Sequence, residues 1–329
     1  MQAESYLEIV KNLAGQLEEA SSFEVSKLPV GHFNKIVVSG MGGSSIVGGI
    51  LRAYLHEKCK IPLFLSRGYS LPAFVDRNTL IFSISYSGNT EETLNMLKHA
   101  FRKGAALVGV TSGGKLLQKF IEQNLPYIKI PGGLQPRATL AYQIVPILKV
   151  LNKLNIIPDS SSDIKKTVAA LKNTKYEESA KSLAGKLIGK IPLIYASDQF
   201  FSVAYRWKTQ FNENSKIHAF THYFPELNHN ELVGFTNINA NYHIIMLEDE
   251  SDHPRIKARM RLTREMISKK DVPTTHIVIK GDNVLTRLFS AIHIGDLTTV
   301  YLALFTNTDP EQVELLTTLK ERLGKVPHL

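Results

Sequence analysis

Residues 81–93 read IFSISYSGNTEET, an apolar, strand-like run that passes directly into a helical pattern. The junction carries three hydroxyl groups within six residues, on Ser85, Ser87 and Thr90, beside Gly88. The first N–H groups of a helix lack intrahelical partners, and the helix dipole favours an anion at that end. Ordinary helix capping accounts for one of these hydroxyls but not for three. The pattern therefore predicts a turn that binds a phosphate group.

A second turn in the same setting lies upstream. Residues 40–45 read GMGGSS and follow a strand-like run, Lys35–Ser39, ahead of a helical pattern. The dinucleotide fingerprint is incomplete, because its third glycine would be Ser45 and because Ser66-Arg67 stands where a ribose-binding acid is expected. No G-x-x-x-x-G-K-[ST] motif occurs. Glycines that serve only tight strand–helix packing remain the alternative interpretation.

The two turns are expected to lie together. Adjacent strands of a parallel sheet end at the same carboxyl edge, where ligands bind in open α/β sheets. Gly42, Gly43 and Ser44 would then face the turn at 85–90. Without a P-loop or a metal motif, such a pair of turns suits a small phosphorylated metabolite better than a nucleotide.

Strand-like and helical patterns alternate through both halves of the chain, which predicts an α/β fold of parallel sheets with helices on both faces. A polar segment, residues 155–175, is interpreted as a linker that leads into a helix. A last helix is predicted from Pro310, with Asp309 as its N-cap. The predicted strands are Lys35–Ser39, Pro62–Leu65, Thr79–Ser85, Ala105–Thr111, Tyr127–Ile130, Ile191–Ala196, Tyr242–Leu247 and His276–Ile279.

The composition narrows the class of protein. A single cysteine, Cys59, allows no intrachain disulfide and indicates a reducing cytoplasm. The N-terminus lacks a basic region followed by an apolar block, and no run of about 18 apolar residues occurs, so neither a signal peptide nor a membrane span is expected. The net charge of +9 is spread over amphipathic helices without interleaved stacking aromatics, which argues against nucleic acid as a partner.

Two later motifs, FNEN and ELNHNE, carry candidates for proton transfer. Glu213 follows an apolar helical stripe, where a carboxylate can be partly buried and act as a general base. His229 lies between Asn228 and Asn230, amides that can fix the orientation and tautomer of an imidazole. Each residue alone also fits an ordinary role, as a solvated helix end or as a structural histidine.

The histidines of the same region are candidates for metal ligands. His218 and His222 are four residues apart, but no His-Glu-x-x-His motif and no cysteine pair accompanies them. Thr221 and Pro225 argue against a helix that would carry both histidines. No metal site is therefore predicted.

Arg137 follows a Gly/Pro-rich loop, residues 131–136, and precedes a helical pattern. Its guanidinium could hold a ligand anion or a developing enolate by charge-assisted hydrogen bonds. A cation at a helix start is mildly unfavourable, which slightly favours a functional interpretation over that of a surface arginine.

These motifs resemble the bifunctional phosphoglucose/phosphomannose isomerases, which belong to the phosphoglucose isomerase superfamily and contain two sugar-isomerase (SIS) domains. The resemblance runs in order from about residue 35 to the C-terminal helix, through 40–44, 85–93, 136–137 and the motifs around Glu213 and His229. The serine-rich turn alone indicates an SIS domain, whereas the two later motifs, 16 residues apart from Glu213 to His229, are much more specific. The implied fold is two doubly wound SIS domains, 1–155 and 156–307, each a parallel sheet flanked by helices, with a C-terminal helix in 308–329.

The resemblance implies an aldose–ketose isomerase that converts glucose 6-phosphate, and mannose 6-phosphate, to fructose 6-phosphate without a cofactor. Glu213 would move a proton between C1 and C2 through a cis-enediol, and Arg137 would stabilise the developing charge. His229 would come from the partner subunit of a homodimer and help to open the sugar ring. The C-terminal helix would pack toward the active site and supply a lysine, Lys320, with Lys325 as the alternative. The residues implied in phosphate binding are Gly42, Gly43, Ser44, Ser85, Ser87 and Thr90.

Two other functions stay open. One is a non-catalytic SIS sensor that binds a sugar phosphate, although such proteins usually pair one SIS domain with a DNA-binding segment and no helix-turn-helix pattern is found here. The other is an isomerase of a different sugar phosphate. A threonine near the C-terminal lysine is linked in the family to mannose 6-phosphate, and Thr317 and Thr318 are both candidates.

Overall fold

The computed structural model describes residues 2–326, so Met1 and the end of the predicted C-terminal segment, residues 327–329, lie outside the described residues. The strands are β1 (Lys35–Ser39), β2 (Leu63–Ser66), β3 (Thr79–Ile84), β4 (Ala106–Thr111), β5 (Tyr127–Lys129), β6 (Ile191–Ser197), β7 (Phe220–Phe224), β8 (Tyr242–Asp249) and β9 (Thr274–Ile279). The helices are α1 (Gln2–Lys11), α2 (Leu13–Ala20), α3 (Gly43–Leu55), α4 (Glu91–Arg102), α5 (Gly114–Glu122), α6 (Leu140–Lys153), α7 (Ser161–Leu171), α8 (Lys175–Lys186), α9 (Phe201–Glu213), α10 (Pro254–Ser268), α11 (Val284–Phe305) and α12 (Glu314–Leu323).

The first sheet has the order β2-β1-β3-β4-β5, and all its pairs are parallel. Its strands are nearly continuous apolar runs, as expected for strands that helices cover on both faces, and β3 is buried along its whole length. The strand order reverses between β1 and β3, so the turns that follow these two strands meet at the carboxyl edge. This arrangement confirms the predicted parallel α/β sheet and places the two Gly/Ser turns side by side.

The second sheet has the order β7-β6-β8-β9 and is also parallel. The sequence did not predict β7, the edge strand formed by FTHYF. Four of its five residues are exposed or half-buried, and Phe220 is 52% exposed, so β7 lacks the apolar run that marks the central strands. The two parallel sheets with flanking helices confirm the predicted fold class.

The predicted linker at 155–175 is wrong in its extent. Helix α7 occupies residues 161–171 and buries Ile164, Thr167, Val168 and Leu171. These residues recur at spacings of three and four, so they form one amphipathic stripe that the serine-rich start of the segment obscured. The irregular connections are limited to short stretches on either side of α7.

Helix α11 lies at the centre of the molecule. It is 22 residues long and apolar enough to cross a membrane by length and composition, but 89% of its apolar window is buried inside the protein. It packs on α7, α8 and α9, and one continuous apolar core joins residues of both halves of the chain. Helix α1, at the start of the predicted first domain, also packs on α11. The two sheets are therefore fixed to each other through a shared helical layer.

Asp252, just after β8, should make the stability of the protein depend on pH. Burial raises the pKa of the Asp252 carboxyl to about 6, and the carboxylates of Asp249 and Glu248 act in the same direction, against the hydrogen bond from the Asp249 N–H. The unfolded chain releases this proton near pH 4, so the folded state loses stability as the pH rises from 4 to 8.

We expect Asp252→Asn to raise the free energy of unfolding by about 2 kcal/mol at pH 8 and by much less at pH 4.5, measured by urea denaturation. Asp271→Asn, at an exposed position, is the matched control for replacing an aspartate by asparagine. An equal gain for Asp252→Asn at both pH values would contradict the raised pKa.

Candidate active site

The turn after β3 carries three hydroxyls at the start of α4, those of Ser85, Ser87 and Thr90, which are called the hydroxyl ring below. Ser85 Oγ lies 2.8 Å from Thr90 Oγ1, and the Thr90 N–H donates to Ser85 Oγ at 3.4 Å. The Asn89 N–H donates to Ser87 Oγ at 3.3 Å, and Ser87 is exposed. Thr90 is the N-cap of α4 but makes no side-chain cap bond. The exposed Ser87 hydroxyl, and whichever of the Ser85 and Thr90 hydroxyls does not donate to the other, can donate to a ligand at a helix N-terminus, where anions are favoured.

Gly88 is the residue of this turn that lies closest to the neighbouring turn at Gly113. Its φ is +69°, and an added Cβ would lie 1.8 Å from the carbonyl oxygen of Gly113. That oxygen belongs to the backbone of a neighbouring turn, so it cannot move aside as a flexible side chain can. The geometry of the hydroxyl ring therefore requires glycine at this position.

Gly88→Ala is expected to lower the free energy of unfolding by more than about 2 kcal/mol, because the left-handed strain and the clash add. Gly104→Ala is the control, since Gly104 has a φ of +66° but nothing within 4 Å of an added Cβ. It should cost about 1 kcal/mol, the strain alone. Equal losses for the two variants in thermal or urea denaturation would contradict this packing.

The turn after β1 lies close to the end of β3, just before Ser85, and to the segment that carries Arg137. A Cβ added to Gly40 would lie 3.1 Å from the Ile84 carbonyl, and one added to Gly43 would lie 3.3 Å from Arg137 Cα. Gly42 has a φ of +54° and is exposed, with nothing within 4 Å of an added Cβ, and Ser44 is buried behind it at the start of α3. The turn at 40–44 therefore approaches the end of β3 through Gly40 and Arg137 through Gly43.

Arg137 is the most highly constrained side chain of the site. It lies in a short 3-10 helix, Pro136–Ala138, and is 3% exposed. Its Nε donates to Asn214 Oδ1 at 2.7 Å and its Nη1 to Gln135 Oε1 at 3.1 Å. Its Nη2 donates to the carbonyls of Pro310 at 2.7 Å and of Glu311 at 3.1 Å. These partners fix the guanidinium plane, as the fixed donor fork of arginine allows.

Glu213, the last residue of α9, meets this guanidinium. Its Oε2 lies 3.5 Å from Arg137 Nη1, and its side chain is 28% exposed. The carboxylate is therefore reachable from outside while a buried cation holds one of its oxygens. Lys216 Nζ donates to the Glu213 carbonyl at 2.6 Å, and burial together with the charge of Arg137 lowers the pKa of this lysine.

A buried polar network supports Arg137 and Glu213 from behind. Arg206 Nη2 donates to the Arg137 carbonyl at 2.7 Å, and Arg206 is held by both oxygens of Asp296 at 3.0 and 2.7 Å. Gln210 Nε2 donates to Asp296 at 2.9 Å. The ion pair is almost fully buried, at 2% and 7% side-chain exposure, and its neighbours satisfy it, which is the condition for a buried pair to be tolerated.

Asn214 and Tyr6 complete the support. The side-chain amide of Asn214 donates to Thr299 Oγ1 at 2.9 Å while its oxygen accepts from Arg137. The Tyr6 hydroxyl donates to the same oxygen at 3.3 Å, and the Arg137 guanidinium lies 5.3 Å from the centre of the Tyr6 ring. Burial raises the pKa of the Tyr6 phenol to about 12, so the phenol remains a donor. Sequence reasoning did not assign a role to Tyr6, Arg206, Asp296 or Thr299.

Within the described residues, neither His229 nor Lys320 makes a side-chain hydrogen bond or ion pair with Arg137 or Glu213. His229 is exposed at the end of a 3-10 helix, Glu226–His229, and its imidazole makes no hydrogen bond within the described residues 2–326. Its neighbours do not orient it, contrary to the expectation from sequence. Asn228 bonds to Thr263 and Arg259, and Asn230 bonds to Glu226 and the Glu231 N–H.

The C-terminal helix begins later than the sequence predicts, at Glu314 rather than at Pro310. Asp309 does accept the Glu311 N–H at 2.8 Å, but the carbonyls of Pro310 and Glu311 turn to Arg137 instead of continuing a helix. None of the residues of α12 is buried, and both Lys320 and Lys325 are exposed. Among the described residues, no group of three or more His, Cys, Asp or Glu could hold a metal ion.

Known protein families match both halves of this chain. Residues 32–120 match the SIS domain family, and residues 176–323 match the family described as bacterial phospho-glucose isomerase C-terminal SIS domain. A hypothetical protein of Thermus thermophilus shares the fold, with a TM-score of 0.74 and 14% identity, over 99% of this chain and 91% of that one. The fold and the two family matches thus define a protein with two SIS domains.

Two curated relatives identify the family within that class. The bifunctional phosphoglucose/phosphomannose isomerase of Caldicellulosiruptor bescii is 39% identical over 97% of this chain and 99% of its own length. The enzyme of the same name from Thermoplasma acidophilum is 38% identical, over 97% of each chain. This chain belongs to the family of bifunctional phosphoglucose/phosphomannose isomerases.

Proposed function

We propose that this protein interconverts glucose 6-phosphate and mannose 6-phosphate with fructose 6-phosphate. The observation that carries the proposal is that the predicted phosphate-binding turns lie next to the pair formed by Arg137 and Glu213. The hydroxyl ring at 85–90 adjoins the turn at 40–44, that turn adjoins Arg137, and Arg137 holds Glu213. A phosphate group on the ring would therefore place the rest of a short sugar chain toward a carboxylate and a guanidinium.

The phosphate end of the substrate would be bound mainly by neutral donors. The hydroxyls of Ser44, Ser85, Ser87 and Thr90 and the backbone of Gly42 and Gly43 would surround it, with the N-termini of α3 and α4 aimed at its charge. The lack of side chains at Gly42 and Gly43 supports close approach of the phosphate to their N–H groups. This site positions the substrate and takes no part in the bond changes.

The proton transfer would depend on Glu213 and Arg137. Glu213 would remove the proton from C2 of the aldose and return it to C1, through a cis-enediol. Arg137 would stabilise the negative charge that develops on the oxygens of this intermediate. C2 becomes planar in the enediol, so the C2 epimers glucose and mannose 6-phosphate can share it. The chemistry needs one base and one stabilising cation, and it calls for no cofactor.

We further propose that the working enzyme is a homodimer in the cytoplasm. The support is that His229 is exposed and unbonded in the described chain, and that α12 exposes Leu315, Leu316, Leu319 and Leu323. An apolar stripe of this kind is commonly covered in an assembly. In the dimer, His229 of the partner subunit would reach the sugar ring near Glu213, and Lys320, or Lys325, would approach the site with α12. The division into SIS domains at 1–155 and 156–307 is part of the same proposal.

A mixing experiment tests whether His229 acts across the interface. Glu213→Gln and His229→Ala chains should each be nearly inactive alone. After denaturation and refolding together, mixed dimers would contain one site with an intact Glu213 and an intact His229, so activity should return to a sizeable fraction of normal. Glu213→Gln mixed with Arg137→Met is the control and should stay inactive, since both changes lie in the same chain's site. Failure of the first mixture to regain activity would place His229 within its own chain.

The substrate is tested with a panel of sugar phosphates. We expect turnover of glucose 6-phosphate, mannose 6-phosphate and fructose 6-phosphate, and little turnover of amino-sugar or pentose phosphates. Preference for another member of the panel would favour the alternative isomerase. Binding of fructose 6-phosphate without any proton exchange at C1 or C2 would favour the sensor.

A further inference from the structure

A cavity of about 390 Å³ lies between α10 and the edge of the second sheet formed by β8 and β9. It is on the opposite face of that sheet from the candidate active site. Ile244 and Met246 of β8 pack toward α10, while Ile245 and Leu247 pack into the core shared with α9 and α11. The cavity is therefore separate from Glu213 and Arg137, and the function proposed above does not use it.

The lining of this cavity is basic. Lys257, Arg261 and Arg264 occupy positions i, i+4 and i+7 of α10, so they lie along one face of the helix. Glu248 is the one carboxylate among the residues that line the cavity. Arg261 pairs with Glu265 at 3.1 Å in an exposed bridge, which is weak and easily exchanged. Lys257 Nζ is bonded to a backbone carbonyl, that of Glu250, at 2.6 Å.

Arg264 is the unusual member of this lining. It is half-buried, and its recorded polar contact in the described chain is His276 Nδ1, at 3.0 Å, with no carboxylate partner. A guanidinium is a donor only, so Nδ1 of His276 is the acceptor in this contact. The other nitrogen, Nε2, then donates to Glu248 at 3.1 Å, which turns that carboxylate toward the histidine. A partly desolvated guanidinium without a counter-charge is unfavourable unless an anion compensates it.

We propose that this cavity is a second anion-binding site, which takes a small phosphate-bearing molecule. Arg264 would bind two phosphate oxygens through its planar fork, and Lys257 and Arg261 would add charge from the same helix face. The volume falls in the range of small-molecule sites and exceeds that of a bare phosphate, so the ligand is a phosphate monoester with a short organic body. Met246, which pairs with His276 in the β8–β9 register, would contact the organic part of this ligand.

The test is isothermal titration with inorganic phosphate, which should find two sites per chain, one here and one at 85–90. In Arg264→Gln, the affinity of one of the two sites should fall at least tenfold while the other is unchanged. Arg255→Gln is the control, because Arg255 lies exposed on α10 outside the cavity lining, and it should keep both affinities. Lys257→Gln serves as a second variant, with an expected loss of at least threefold at the same site.

A local signal separates this site from the one at 85–90. The imidazole resonances of His276 should shift as phosphate saturates the wild type and Arg255→Gln, and in Arg264→Gln the same shift should need at least tenfold more phosphate. Two unchanged phosphate affinities in folded Arg264→Gln, or a wild type whose His276 resonances ignore phosphate, would overturn the proposal. Neither result depends on isomerase activity, so the proposed function and this site can fail separately.

Discussion

Glu213→Gln is expected to lower kcat for the conversion of fructose 6-phosphate to glucose 6-phosphate by about 10²–10⁴-fold, the usual contribution of a positioned general base. The amide keeps the size of the side chain but cannot accept the proton from carbon. KM should change little, since the phosphate is bound at a distance from this group. A coupled assay of kcat and KM, with circular dichroism as a check of folding, measures the effect.

Glu311→Gln is the matched control for this change. The backbone carbonyl of Glu311 accepts from Arg137, and no contact of its side chain with the guanidinium is recorded. Its kcat should stay within a few-fold of normal. Near-normal turnover by folded Glu213→Gln would rule out Glu213 as the base.

Arg137→Met is expected to lower kcat by about 10²–10³-fold, the cost of removing one preorganised group that stabilises an oxyanion. The change also leaves the carbonyls of Pro310 and Glu311 without the Arg137 donor and leaves Asn214 Oδ1 with the Tyr6 hydroxyl as its donor, so the free energy of unfolding should fall by several kcal/mol. Both quantities can be measured on the same preparation, by steady-state kinetics and urea denaturation.

Arg137→Lys separates the charge from the geometry. Lysine keeps a positive charge near Glu213 but cannot reach Asn214 and the two carbonyls in one plane. We expect a partial recovery of kcat relative to Arg137→Met and a stability that remains low. A folded Arg137→Met with normal kcat would show that the enediolate is stabilised by another group.

The sequence predicted the parts of the fold and site that depend on local pattern. Strand β3 and helix α4 are marked by an apolar run, three hydroxyls and a glycine that lie next to one another in the chain. The structure brings Gly43 close to Arg137, and Arg137 Nη1 within 3.5 Å of Glu213 Oε2. The assignment of roles to these residues remains a prediction until the variants are measured.

The support behind the site could not be predicted in this way. The contact of Tyr6 with Asn214 joins positions 208 residues apart, and that of Arg206 with Asp296 joins positions 90 apart. Nothing in the sequence around Tyr6 distinguishes it from the other apolar residues of α1, which pack into the core. Asp296 lies in an apolar helix, and a buried acid in such a helix is the one signal that could have drawn attention to the network.

At the start of α12, helix capping competes with hydrogen bonding to Arg137, and a single sequence does not reveal this competition. Asp309 and Pro310 form a typical helix-start pattern, but two carbonyls there satisfy the buried Arg137 guanidinium. The need to pair a buried charge outweighs a local capping preference of about 1 kcal/mol. The predicted active-site lysine therefore lies on a helix that starts one turn later.

Proton exchange with solvent tests the central claim most directly. When the wild type converts fructose 6-phosphate in D₂O, deuterium should enter C2 of the glucose 6-phosphate formed and C1 of the remaining fructose 6-phosphate, as NMR can show. Glu213→Gln should lose this exchange in the same proportion as it loses turnover. Exchange that continues at the wild-type rate in folded Glu213→Gln would contradict proton transfer by this carboxylate.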